Sequence, residues 1–271
     1  MIGRWIVFAI AALLMNFPVL VTLLTSFKSN AEIASNASLW VESWTLENYV
    51  QVFAISDRFD VIAYLMNSVV VASIGAVLPL LFCFPAAYVM VRKGYGTRIL
   101  MPAVINLRAV PLIIFAIPLY MMYQPLHLLD SKLGLGLILA IVNLPLALMM
   151  SINAIHDIPT ELDKASLVDG ASPFTFLVNV AIPMSKPVLA TTLIFGFITA
   201  WNEFLFGLML TTKDAVPLTV GASFFFAAGG GGVQWGVAAA VMVIGTLPPT
   251  LLGLLIYRQI GQSVMGGAVK G

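Results

Sequence analysis

Apolar runs about as long as the lipid hydrocarbon core is thick recur along this chain, and they leave it few ways to fold. Crossing that core takes roughly 20 residues of α-helix. Six stretches qualify: Trp5 to Thr25, Val61 to Val91, Ile99 to Tyr123, Leu133 to Ile155, Val188 to Leu210 and Trp235 to Tyr257. Hydrophobic residues make up 61% of the 271 and charged ones 9%, whereas a soluble domain carries about a quarter charged. The chain therefore reads as an all-α integral membrane protein, with six transmembrane helices forming a single domain over residues 1–271 in a lipid bilayer.

The spans are not ideal rods. Pro79 and Pro85 fall in the second, Pro102, Pro111 and Pro118 in the third and Pro145 in the fourth, so kinks or breaks are expected there. A broken third helix is tolerable where protein or a water-filled cavity covers the freed backbone. The first run lacks the small-residue end of a cleaved signal peptide and is kept as a helix. Between it and the second, Trp40, Trp44 and Tyr49 lie among Glu32, Glu42 and Glu47, a mixture that suits a partly ordered flap on the bilayer surface. A Gly-rich loop from Thr211 to Gln234 precedes the sixth span.

Lysine and arginine set the orientation. With six spans, Arg4, Arg92, Lys93, Arg98, Lys164, Lys186, Arg258 and Lys270 fall on one side and only Lys28, Arg58, Lys132 and Lys213 on the other, eight against four. The richer side faces the cytoplasm, which places both termini there. It also places there the polar stretch Asp157 to Pro187.

That stretch is punctuated like compact structure. Pro159 suits a first helical turn, and Thr160 with Asp163 makes an aspartate version of a capping box. Gly170 can take the left-handed conformation that stops a helix, and Ser172-Pro173 offers a second N-cap and first-turn proline. Two short helices meeting at a tight turn are expected. A merely solvated loop needs no such signals, so the pair reads as a docking surface.

The same stretch resembles the cytoplasmic EAA loop of ABC-importer permeases, whose pattern is E-A-A, three residues, G, nine residues, I-x-L-P. Ala165 matches the first alanine, Gly170 the glycine, Val180 and Ile182 the aliphatic positions and Pro183 the proline, while Ser166 replaces the second alanine. Lys164 stands where the pattern has glutamate. The resemblance implies a pair of coupling helices seated in a cleft of an ATPase subunit, with Asp169 beside Gly170 in the contact. Glu161, one turn before Lys164 on roughly the same face, is expected to take over the acid's role; Asp163 points about 100° away.

Polar groups inside the apolar runs are the candidate solute path. Arg108 and Asn143 each lie ten residues into their spans from opposite surfaces, about 15 Å deep and near the bilayer midplane. A charge at that depth costs roughly 2.5–3.5 kcal/mol or more unless it meets a cavity or partner. Trp201, Asn202 and Glu203 lie together in the fifth span. Amides, charges and an aromatic ring suit a polyhydroxylated solute. The competing reading is that these groups satisfy kinked backbone or a partner subunit.

The rest of the chain carries the resemblance further. Ile117 to Tyr120, Leu128-Leu129-Asp130, Asn143-Leu144-Pro145, Trp201 to Phe204 and the terminal Gly267 to Gly271 all look like the G-like subunit of maltose-type carbohydrate importers. For such a subunit the resemblance implies a second, related permease, two ATPase subunits that carry the ATP and Mg, and an external solute-binding protein. It implies that the tail Ala268, Val269, Lys270 and Gly271 contacts the ATPases. The bacterial plasma membrane is the implied location.

Other classes fit less well. A stand-alone secondary transporter of a small polar solute, the alternative, would show paired titratable groups on its path and an internal repeat, and neither is evident. An intramembrane enzyme would need a nucleophile, base or metal cluster. His127 and His156 have no metal-ligand spacing around them, the lone Cys83 sits in an apolar run, and Gly229 to Gly232 lack the Lys and Ser/Thr of a phosphate loop. No catalytic residue, metal or cofactor is expected in this chain. A net charge of +1 without a basic patch gives no reason to expect nucleic acid.

Overall fold

The structure, a computed structural model, describes residues 2–35, 38–54, 60–107, 109–226 and 233–268, with side chains through residue 255. Every regular element among the described residues is helical. Five helices among the described residues are long and apolar enough to cross a membrane: Gly3–Ser26, Val61–Lys93, Lys132–His156, Pro173–Trp201 and Trp235–Leu255. In chain order the helices are α1 (Ile2–Ser26), α2 (Asn30–Ser35), α3 (Glu47–Phe53), α4 (Val61–Lys93), α5 (Leu100–Asn106), α6 (Ile113–Tyr123) and α7 (Lys132–His156). Then follow α8 (Thr160–Val168), α9 (Pro173–Phe176), α10 (Ile182–Trp201), α11 (Leu205–Leu210), α12 (Leu218–Phe224) and α13 (Trp235–Ala268).

Three spans differ from the sequence expectation; the sixth, expected over 235–257, continues in α13 to Ala268. The third, expected over 99–123, is two short helices, α5 and α6, with residues 107–112 between them. Pro111 lies in that gap; it has no N–H to donate and disfavours helical backbone at Val110 before it. The fifth, expected over 188–210, begins earlier and ends sooner. α9 runs through one π turn, Leu177–Ala181, straight into α10, and the chain leaves the helix at Asn202. Pro187, which closes the polar stretch in the sequence, and Pro183 both lie inside this helix. Pro183 has no N–H for the carbonyl of Asn179, and Asn179 sits within the π turn, where the hydrogen-bond register has already widened.

The residues fall into two compact units, Met1–Leu65 with Leu218–Pro248, and Met66–Pro217 with Pro249–Gly271. In the first, the stretch after α1 is more ordered than a surface flap. The buried Asn48 amide donates to the carbonyls of Ser26 and Lys28 at 2.9 and 2.7 Å, and the Glu32 carboxylate accepts from the Glu42 N–H at 2.9 Å. Phe27 lies 5.4 Å from the rings of both Trp44 and Tyr49. Trp40 and Trp44 stay exposed, as interface anchors would be. Within the span expected to be a glycine-rich loop, α12 is a short helix, and residues 227–232, which hold Gly229 to Gly232, lie outside the described residues.

The second unit is built on α4, α7 and α10. Small residues let the helices approach closely, as membrane packing favours where lipid supplies no hydrophobic drive. A Cβ added at Gly136 of α7 would stand 2.7 Å from the Ile74 Cβ of α4. Below that crossing, Phe84, Ala87, Met90, Ala154, Ile155, Ile158, Phe176 and Leu177 form a buried cluster that joins α4, α7 and the α8–α9 region. This cluster positions the elbow described next.

Candidate functional site

The α8–α9 elbow is held by local signals at its turn and by a distant partner at its base. Gly170 adopts φ +75°, the Ala171 N–H donates to the Ser166 carbonyl at 2.9 Å and the Gly170 N–H to the Leu167 carbonyl at 3.1 Å. That pair of bonds is a Schellman stop. Ser172 then caps α9, its hydroxyl accepting from the Thr175 N–H at 3.1 Å, with Pro173 in the first turn. The start of α8 differs from expectation. Pro159 occupies the N-cap position and no side chain caps the helix. Asp163 does not reach back to close a capping box, because Arg92 at the end of α4 takes its carboxylate.

The Arg92 Nε lies 3.0 Å from Asp163 Oδ2, with the two side chains only 12% and 16% exposed. Arg92 Nη2 also donates to the Ile158 carbonyl at 2.6 Å. One turn back on α4, Tyr88 faces the same carboxylate and packs its ring 5.6 Å from that of Phe176. The opposite face of α8 is open: Glu161, Lys164, Ala165 and Asp169 are exposed. So are Leu167 and Val168 of α8, at 66% and 87%, although α8 belongs to none of the membrane-length helices, and so is Phe174 of α9, at 74%. Pro183 lies exposed beyond the π turn.

The candidate path residues are dispersed. Asn143, 2% exposed, donates through Nδ2 to the carbonyls of Gly75 and Gly196, both at 2.9 Å. It ties α7 to α4 and α10 where glycines leave room for the amide. Trp201 is buried against Phe197, ring centroids 5.7 Å apart. Asn202 turns its amide onto the Ile198 carbonyl at 2.9 Å. Glu203 accepts from the Phe206 N–H at 3.1 Å and the Gly207 N–H at 3.3 Å, satisfying free donors at the start of α11. Arg108 lies outside the described residues, as do Val269, Lys270 and Gly271; Ala268 ends α13.

A cavity of about 460 Å³ opens between α6, α7 and the α10–α11 region. Phe115, Leu119, Ile138 and Val142 give it apolar walls, and Thr199 and Glu203 its polar atoms. Of the candidate path residues, Glu203 reaches it; Asn143, Trp201 and Asn202 do not line it. Among the described residues no three His, Cys, Asp or Glu side chains gather as a metal site.

A residue with five hydrogen-bond donors around it is singled out in the sequence only as part of a resemblance. Asp130, between α6 and α7, accepts from the Thr212, Lys213, Asp214 and Ala215 N–H groups at 3.0 Å each and from the Thr212 hydroxyl at 2.9 Å. Burial pushes its carboxyl up, but these backbone donors outweigh it and hold the pKa down at about 2. Asn67 of α4 donates to the Asp214 and Val216 carbonyls at 3.1 and 3.0 Å. The 211–217 loop is thus fixed from both sides. A short spacing rule would not find this partner set, which lies 82 to 85 residues away.

Comparison with known proteins places these features in one context. Residues 80–266 match the family described as binding-protein-dependent transport system inner membrane component. The sulfoquinovosyl glycerol transport system permease protein SmoH of Agrobacterium fabrum is 30% identical over 97% of this chain and 92% of its own length. The trehalose/maltose transport system permease protein MalG of Thermococcus litoralis is 31% identical, over 96% and 93%. A chain of a bacterial ABC transporter involved in the import of the acidic polysaccharide alginate shares the fold, with a TM-score of 0.78, 20% identity and 95% of each chain covered. The chain belongs to the family of binding-protein-dependent transport system inner membrane components.

Proposed function

We propose that this chain is a permease subunit of an ATP-driven ABC importer that moves a sugar or sugar-like solute into the cytoplasm. The observation that carries the reading is the elbow: α8 is anchored by its inner face and presents exposed Leu167 and Val168 beside Glu161 and Lys164 on a helix outside the membrane-length spans. Apolar anchors ringed by charge suit a protein cleft. The relatives named above carry sugars or sugar-bearing glycerol in their names, which supports the solute class.

In this reading the elbow and both termini lie in the cytoplasm, as the eight-to-four basic bias supports. A second permease completes the pathway, two ATPase subunits dock on the elbows, and a solute-binding protein delivers the cargo outside. ATP and Mg belong to the ATPases, and this chain does no chemistry of its own. Glu161, Lys164, Ala165, Asp169, Gly170 and Pro183 serve the coupling contact, with the tail from Ala268 to Gly271 as a second contact. Arg108 and Glu203 serve the path, with Asn143, Trp201 and Asn202 shaping it.

The test is to purify the complex through a tagged copy of this chain and reconstitute it in proteoliposomes. Uptake of a labelled sugar should require ATP and the cognate binding protein. Uptake by this chain alone would overturn the reading.

A further inference from the structure

The anchored face of α8 supports a claim that deepens the coupling reading and rests on it. We propose that Arg92 and Asp163 are positioning residues that make the coupling helix and the end of α4 move as one rigid piece, so that α4 is the span driven directly by the motor.

Three attachments converge on that end of α4. The Arg92 guanidinium meets Asp163 of α8 at 3.0 Å. The same guanidinium holds the Ile158 carbonyl, which ends the α7–α8 connection, at 2.6 Å. Tyr88, four residues earlier and so on the same face of α4, faces Asp163 and packs on Phe176 of α9. Arg92 suits this work because its fork can bind a carboxylate and a carbonyl together, which an ammonium group does less well.

Other connections to the elbow differ in kind. The seam beneath it is apolar, made by Met90, Ile158, Phe176 and Leu177, and apolar contacts are non-directional, so they can slide. A charge pair that is mostly buried cannot slide without leaving both ions unpaired. Downstream of α9 the π turn Leu177–Ala181 interrupts the α-helical register before α10 begins, and such turns mark places where a helix gives. The clamp is therefore stiff toward α4 and the connection compliant toward α10.

The experiment uses the whole complex, purified through this chain, with Cys83→Ala and spin labels at Lys93→Cys and Thr160→Cys; both labelled sites are exposed. Electron spin distance measurements compare the nucleotide-free complex with the complex holding a non-hydrolysable ATP analogue. The expected result is one narrow distance, the same in both states. In Asp163→Asn and Arg92→Gln the distribution broadens, the ATPase still co-purifies, and solute moved per ATP falls about tenfold. The exchanged pair Arg92→Asp with Asp163→Arg recovers most of it, which loss of folding would not allow. A distance that shifts between states in the otherwise native complex, or single variants with native transport per ATP, overturns the inference alone. A native complex without any ATPase overturns the importer reading and the inference with it.

Discussion

Two of the polar fastenings in the second unit are built differently. At Asp130 one carboxylate collects four backbone N–H groups and a hydroxyl from the 212–215 segment. At α8 one carboxylate meets one guanidinium, which also holds the Ile158 carbonyl, above an apolar seam. The first fixes a loop by its main chain, so every substitution in that loop which keeps the backbone also keeps the fastening. The second joins side chains on two helices and fails if either is lost. The lesson is that a loop can be frozen by one residue, whereas the helix proposed to transmit motion is clamped by side chains whose strength is separately tunable.

The sharpest way to break this comparison is at the loop. Asp130→Ala strands four N–H donors and should cost about 3 kcal/mol or more, read as a fall in detergent melting temperature, with the native Asn67 contacts insufficient to compensate. Asp130 also sets a pH dependence. Its folded pKa of about 2 lies below the ordinary 3.8, so its contribution is complete above about pH 4 and is lost as pH falls toward 2. Asp130→Asn should flatten that acid limb of the stability curve; an unaltered limb would remove the loop fastening from the comparison.

A smaller effect separates fastening from solute path. Asn143→Leu leaves the Gly75 and Gly196 carbonyls without their side-chain donor and should destabilise by about 1–2 kcal/mol, while the apparent affinity for solute stays as it was. A changed solute preference with unchanged melting would make Asn143 a path residue. At the clamp, Asp163→Asn keeps a polar side chain against Arg92 and should cost about 1–2 kcal/mol in melting, so most of its damage shows in transport rather than stability. Smallest of all, Gly170→Ala forces a side chain into φ +75° and should cost about 1 kcal/mol, measurable as a modest melting shift and a weaker grip on the ATPase.

What could be read in the sequence was what local chemistry dictates. The Gly170 stop and the Ser172-Pro173 restart are set by neighbours within five residues, and both are where the residue types put them. The apolar runs show as helices for the same reason, since each must satisfy its own backbone. The partners of Asp163 and Asp130 were not legible, because they lie in other helices and loops far along the chain. Asp163 looked like a cap until Arg92 was seen beside it.

The same limit explains the misplaced ends of the fifth span. Pro187 closes the polar stretch in the sequence yet lies inside the helix, and the widened turn takes up the donor missing at Pro183. Glu203 and Asn143 show a further difficulty. A polar residue in an apolar run can serve cargo or backbone, and spacing does not distinguish them. The structure gives both of these side chains backbone partners, and Glu203 alone of the two also borders the cavity.

The greasy knob on the elbow has a cost during biosynthesis. With Leu167 at 66% and Val168 at 87% exposure, a copy without the proposed ATPase leaves these apolar side chains uncovered, which invites clumping and quality control. If the elbow seats in such a partner, matched production of the two chains follows from that exposure.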